Sequence, residues 1–313
     1  MLTVEATMAR LLCALSVDLD EIDHYHAIHG MPAPEGDRAP VYDVAIPRLR
    51  RLAGALEVPL TFFAVGQDLA RERSAHALEQ AVASGHAVGN HTQSHFYDLT
   101  RRPRELIARE IDEAQAAIER ACGVRPKGFR APGYTITREV LTLLEERGLL
   151  YDSSVFPCPA YKGAKDLAIS LYALTGRPSR SVIDTPAVLL SPTRPYRVGR
   201  PYWRRGSGLL ELPIQVTRRL RLPYIGTSIM LAGPERARLL TRGVVGEPLV
   251  NLELHGIDVL DEHDEGLAPL RDRQRDVRVP VVRKEASLAA VVDTLRSEGY
   301  SFVTLDEAAE HFA

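Results

Sequence analysis

Short apolar runs alternating with amphipathic stretches are the feature that most limits how this 313-residue chain can fold. Residues 11–17, 59–65, 86–90, 127–130 and 149–152 read as strands. Between them, residues 41–57, 68–84, 103–121 and 137–147 carry apolar side chains at helical spacing. Pro103 suits a first helical turn, and Gly85, Gly123 and Gly148 suit helix stops. Further strands are expected at 209–213, 249–254 and 301–305, with helices at 287–298 and 306–312. Serial β-α units build a parallel sheet with helices outside it, and near-continuous apolar strands fit burial on both faces. An open doubly wound sheet and a closed or nearly closed (β/α) barrel both satisfy this α/β pattern. The barrel fits better, because no Gly-x-Gly-x-x-Gly turn follows the first strand. One domain over residues 1–313 is expected, its core at 11–305. Residues 157–207, rich in Pro, Tyr, Arg and Gly with an apolar patch at 167–174, interrupt the rhythm and read as an insertion.

Composition narrows the function classes. A 45% hydrophobic, 26% charged chain argues against wholesale disorder, and a net charge of −2 excludes a nucleic-acid grip by global electrostatics. Cys13, Cys122 and Cys158 are too few and too scattered for a disulfide framework or a thiolate zinc site. No run of about 18 apolar residues offers a membrane span. The first ten residues lack the apolar stretch of a secretory signal. A cytoplasmic location is therefore expected, with a peripheral contact at the inner face of the membrane left open.

In a barrel, chemistry gathers at the C-terminal ends of the strands, so polar residues there should form one set. The first strand ends Ser16-Val17-Asp18-Leu19-Asp20, two carboxylates pointing the same way. Such a pair is costly unless a cation or arginine sits between them, although a solvated strand end has the same pattern. The third strand ends in His91-Thr92-Gln93-Ser94-His95, an i, i+4 pair on one face of a helical turn. Two histidines and a carboxylate make a metal set with open positions, although surface pairs also occur by chance. The fourth ends Arg130-Ala131-Pro132-Gly133-Tyr134, an arginine able to pair with a buried Asp and a turn able to expose backbone N–H groups. The fifth ends Tyr151-Asp152-Ser153-Ser154, and a late strand ends Leu252-Glu253-Leu254-His255.

This ordered set resembles the polysaccharide deacetylase family, the NodB-homology domain of carbohydrate esterase family four, over nearly the whole chain. The resemblance implies a NodB-like distorted (β/α) barrel that removes N-acyl groups, usually acetyl, from amino sugars. It implies Asp18 as general base, Asp20, His91 and His95 as metal ligands, and His255 as general acid. Arg130 would hold Asp18 ionised, the Tyr134 backbone N–H would bind the oxyanion, and Asp152 would tune His255. Zinc is the first expectation from these donors, with cobalt, nickel and iron left open. Two features depart from the common pattern. Leu19 separates the aspartates, a variant of the intracellular and lipid-linked-sugar branches, and Phe156 stands near the place of a usual Trp.

Substrate choice is expected in the loops over the mouth. Residues 21–30 carry His24, Tyr25, His26 and His29 and read as a polar lid. His24 and Tyr25 there, Pro132 and Gly133 on the turn, and Trp203 in the insertion are the candidate substrate contacts. A second acidic loop, 256–265, holds Asp258, which could orient a catalytic group. The stretch 194–224 concentrates arginines, Arg204 and Arg205 among them, with Tyr196, Tyr202, Trp203 and Tyr224. Arginine suits phosphate, so a nucleotide- or polyprenyl-phosphate-linked N-acyl amino sugar is one substrate this stretch would fit, beside the plainer reading of a surface loop with ordinary arginine content. The alternatives are a same-fold amidohydrolase acting on a cyclic amide, ureide or formamide, and an inactive carbohydrate-binding barrel.

Overall fold

The structure, a computed structural model, describes the backbone of residues 10–174 and 185–313. Residues 1–9, and the side chains of the apolar patch at 167–174, lie outside the described residues.

Strand β1 (Leu12–Asp18) is buried along its whole length, as an apolar run with hydrogen-bonded neighbours on both sides must be. It is followed by α1 (Ile22–Ile28), a π-helical turn over Val41–Ala45 that runs into α2 (Ile46–Leu56), and β2 (Leu60–Ala64). Then come α3 (Glu72–Ala83), β3 (Ala87–Asn90), α4 (Arg104–Cys122), β4 (Gly128–Phe129), α5 (Arg138–Glu146) and β5 (Tyr151–Asp152). The insertion opens with α6 (Pro159–Leu174) and ends in the hairpin β6 (Tyr196–Val198) and β7 (Arg205–Glu211). The chain closes with α7 (Gly226–Ala232), α8 (Pro234–Arg242), β8 (Leu249–His255), α9 (Val281–Ser297), β9 (Ser301–Phe302) and α10 (Leu305–Phe312).

The strands form one curled sheet, ordered β6-β7-β5-β4-β3-β2-β1-β8, with β9 beside the start of β1. Every pairing is parallel except β6 with β7. β1 serves three partners: β8 along its full length, β2 over Leu15–Asp18, and β9 at Leu12 and Cys13, where β2 has not yet begun. The gap between β7 and β8 is bridged by irregular chain, through Gln215 N–H to Asn251 O (3.0 Å) and an isolated pairing of Ile225 with Glu253. This is the distorted barrel expected from the alternation, with the distortion placed at one seam.

Three expectations are corrected. Residues 21–30 are not a loop: Glu21 accepts from the N–H of Ile22 (2.9 Å) and starts α1, a short helix over the mouth. The insertion contributes β6 to the sheet edge, and the strand expected at 209–213 begins earlier, at Arg205, as β7. Helices α7 and α8 were not anticipated; short apolar runs such as 229–232 carry no periodicity that separates helix from strand.

Candidate active site

The strand ends do converge. Asp18 closes β1, in register with His255 at the end of β8. His91 follows β3, Arg130 follows β4, and Asp152 ends β5. All five except His255 are fully buried, and His255 is partly open to solvent.

Asp20, His91 and His95 form one cluster. Nε2 of His91 lies 3.2 Å from Asp20 Oδ1, and Nε2 of His95 lies 3.2 Å from both Asp20 Oδ2 and His91 Nε2. The histidines are not on a helical turn, as their spacing suggested. They sit on an irregular loop in which Thr92 and His95 adopt positive φ (68° and 51°). The surroundings hold this unusual backbone. Asn90 Oδ1 accepts from Thr92 N–H (2.9 Å), Thr92 Oγ1 accepts from His95 N–H (3.1 Å), and Glu110 accepts from both Ser94 N–H (2.7 Å) and Ser94 Oγ (2.9 Å). His91 Nδ1–H donates to the Arg130 carbonyl (2.7 Å), which leaves Nε2 with its lone pair aimed at Asp20. Two imidazole nitrogens and a carboxylate, their ligand atoms all within 4.8 Å of one another and buried, are the donor set a divalent cation requires.

Arg130 holds Asp18. Its Nη1 donates to Asp18 Oδ1 (2.7 Å), Nη2 to Ser16 Oγ and Ser153 Oγ (2.9 and 2.8 Å), and Nε to Ser153 O (2.9 Å). The guanidinium also lies over the Phe63 ring, 4.2 Å from its centre. Burial alone would lower the Arg130 pKa, but the carboxylates of Asp18 and Glu253 raise it. Asp18 Oδ2 remains directed toward the Asp20-His91-His95 set, 4.0 Å from His91 Nε2.

The acid beside His255 is not Asp152. Glu253 Oε1 lies 2.9 Å from His255 Nδ1, and Asp258 Oδ2 accepts from the His255 backbone N–H (2.9 Å). Burial pushes the imidazole pKa down, yet Glu253, with Asp20 and Asp18 behind it, holds it well above the usual histidine value. Asp152 instead accepts from Ser154 Oγ (2.6 Å) and faces Glu211. Burial raises both carboxyl groups, Glu211 most, so Glu211 keeps its proton and donates it to Asp152, while its Oε1 accepts from Val155 N–H (3.1 Å). The sequence reading passed over Glu253. The signal was available: Asn251, Glu253 and His255 alternate along one strand and so share a face.

The Tyr134 N–H closes its turn onto Ala131 O (3.0 Å), so it does not offer the free oxyanion donor that was expected. The residue presents its hydroxyl, 3.3 Å from His255 Nε2. Gly133 has φ 62°, and a Cβ there would meet Tyr97 at 3.1 Å, so Pro132-Gly133 forms a tight wall of the site. His24 packs its ring on His95 (centroids 4.3 Å apart), and Tyr25 meets His255 edge-on at 6.4 Å. From the insertion, Tyr161 packs against Tyr134 (5.8 Å), and Lys165 Nζ donates to Gly133 O (2.9 Å).

The remaining insertion residues lie elsewhere. Trp203, Arg204 and Arg205 stand at the β6–β7 turn, at the start of β7. The mouth lies at the other end of that strand, six residues or roughly 20 Å away. Trp203 packs on Tyr202 (5.1 Å), and Tyr196, Tyr202 and Tyr224 are buried. The expected arginine-aromatic surface is therefore not a wall of this site.

Residues 40–151 match the family model for polysaccharide deacetylase. A peptidoglycan deacetylase of Helicobacter pylori is 25% identical over 151 residues, 46% of this chain and 50% of that protein. A chitooligosaccharide deacetylase of Bradyrhizobium is 37% identical over 93 residues, 29% of this chain and 41% of its own. The chain thus spans about half, or less, of these relatives. Among solved structures, a candidate polysaccharide deacetylase from Mycobacterium smegmatis superposes with a TM-score of 0.61 at 17% identity, covering 99% of this chain and 92% of that one. A carbohydrate esterase family 4 pseudoenzyme from Bacillus anthracis gives 0.51 at 12% identity, covering 96% and 66%. At these identities the structural likeness speaks for the fold, the NodB-like distorted barrel. Over residues 40–151 the chain is thus similar to the polysaccharide deacetylase family, and the fold around that segment is the one its solved neighbours share.

Proposed function

We propose that the protein is a metal-dependent hydrolase that removes an N-acyl group, acetyl in the first instance, from an amino-sugar substrate. The observation that carries this reading is the meeting, at one mouth, of the Asp20-His91-His95 donor set, Asp18 anchored by Arg130, and His255 backed by Glu253. A divalent metal held by Asp20, His91 and His95 would lower the pKa of its water toward about 7 and polarise the acyl carbonyl. Asp18, with one oxygen committed to Arg130 and the other directed at the cluster, accepts the proton of the attacking water. Its pairing with Arg130 fixes it in place for that purpose. His255, held protonated by Glu253, delivers a proton to the leaving nitrogen. The Tyr134 hydroxyl beside His255 Nε2 positions that proton donor. Zinc suits the two imidazoles and carboxylate best, with cobalt, nickel and iron as further occupants.

Asp18→Asn is expected to keep stoichiometric metal and lose roughly 10²–10⁴-fold in turnover of an N-acetyl amino sugar, whereas His91→Ala loses the metal itself. Elemental analysis paired with acetate release checks both; near-normal turnover of Asp18→Asn would remove the base assignment. A protein that takes up no metal and releases no acetate would favour a carbohydrate-binding barrel. Release of a non-acetyl product from a cyclic amide or ureide would favour the other hydrolase reading.

Linkage of the sugar to a nucleotide or polyprenyl phosphate is the finer reading. Its support at the mouth is Lys165, which α6 sets against the Gly133 turn, rather than Arg204 and Arg205. Lys165→Ala should raise KM for a phosphorylated substrate at least fivefold more than for its dephosphorylated analogue; equal effects would leave the phosphate without support.

A further inference from the structure

We infer that the protein docks on an anionic bilayer surface through the turn at 217–222 and the adjoining face of α8. The turn is a tight hairpin: Val216 pairs with Pro223, Thr217 N–H donates to Leu222 O (3.0 Å), and Leu222 N–H donates to Thr217 Oγ1 (3.0 Å). Its tip carries Leu220, 74% exposed, and Leu222, 39% exposed. Across a groove of about 820 Å³ stands Leu239 of α8, 63% exposed.

A single exposed leucine needs no explanation, but three around one groove on a chain of otherwise ordinary composition do. The charges around that groove say what covers it. Arg194, Arg218, Arg219 and Arg242 line it, and Glu247 is the one acidic side chain among its lining residues, paired with Arg194 (2.8 Å) and Arg218 (3.3 Å). Four cations against one anion leave a local charge of +3 on a chain whose net charge is −2. Arg219 and Arg242 have no ion-pair partner among the described residues. Leucines flanked by arginines match the two layers of a membrane interface: the apolar tips enter the acyl boundary while the guanidinium groups reach the phosphates. A nucleic acid or another polyanion would use the arginines and have no use for the leucines.

The docking face lies beside Gly243 and Glu247, at the start of β8, whereas His255 lies at its end. A docked molecule therefore turns its mouth away from the bilayer, toward substrates in solution, which favours a nucleotide-linked sugar over a polyprenyl-linked one. The inference does not depend on the deacetylase reading, and its test does not use activity as the readout.

The test is sedimentation of the full chain with phosphatidylcholine vesicles, with and without phosphatidylglycerol. Binding is expected only with phosphatidylglycerol, and it should be lost in high salt. Arg219→Gln with Arg242→Gln should weaken binding roughly 25-fold, about fivefold for each cation. Leu220→Ser with Leu239→Ser, which leaves the charge intact, should weaken it at least tenfold. The melting temperature should be unchanged in both variants, which separates failed docking from failed folding. No binding to phosphatidylglycerol vesicles would overturn the inference. So would leucine variants that bind like wild type, the mark of a polyanion site, or a dimer that these variants dissolve, the mark of a second copy.

Discussion

Arg130 does two jobs with two parts of one residue. Its guanidinium fixes Asp18, and its carbonyl fixes the tautomer of His91. Removing the side chain would strand a buried carboxylate, at a cost of roughly 3–5 kcal/mol. Glu253 plays the counter-ion to His255 as Arg130 does to Asp18, a carboxylate set beside an imidazolium. Glu253→Gln should lower the His255 pKa, because the chief group holding its proton is gone. If His255 is the acid, activity falls as pH rises through that pKa, so the alkaline limb of kcat/KM should move to lower pH in the variant. A limb that stays in place would separate Glu253 from the acid. At this scale much of the site was legible: Asp18, Asp20, His91, His95, Arg130 and His255 follow or close strands, and parallel strands end together. The partner of His255 was missed because the expectation looked to another strand, when the answer stood two residues away on the same one.

The elements explain why some neighbours could not be read. That β5 pairs with β7, and so brings Asp152 against Glu211, depends on a register between segments some 60 residues apart, and no local pattern encodes it. Glu211 holds its proton in the fold at pH values where an unfolded chain would release it. The wild type should therefore lose stability as pH rises from about 4–5 toward that raised value. Glu211→Gln can make the same donation to Asp152 and the same acceptance from Val155 without a proton to lose, so its urea midpoint should be flat over that interval. Glu211→Leu leaves two buried groups unsatisfied and should cost roughly 1–3 kcal/mol for each. The α1 helix was missed for a related reason. Its seven residues are too few to declare a period, and only the Glu21 cap and burial against the site make it a helix.

For the whole molecule, the alternating pattern was enough for the barrel but not for its seam, since irregular chain at 212–225 carries no periodic signature. The three proposed ligand residues come from the segments just after β1 and β3, so a bound cation would tie together strands that flank β2. Saturating metal at about a thousand times its Kd adds about 4 kcal/mol to stability. Zinc should therefore raise the melting temperature of metal-stripped protein by several degrees, and His91→Ala should abolish the rise. β1 carries a further consequence. Its register is set by β2, β8 and β9 together, and Asp18 and Asp20 share the face that looks into the site. A slip of one residue would exchange them for Val17 and Leu19. A chain folded out of step would then be inert rather than misdirected, so the pairing that assembles the barrel also acts as its proofreading.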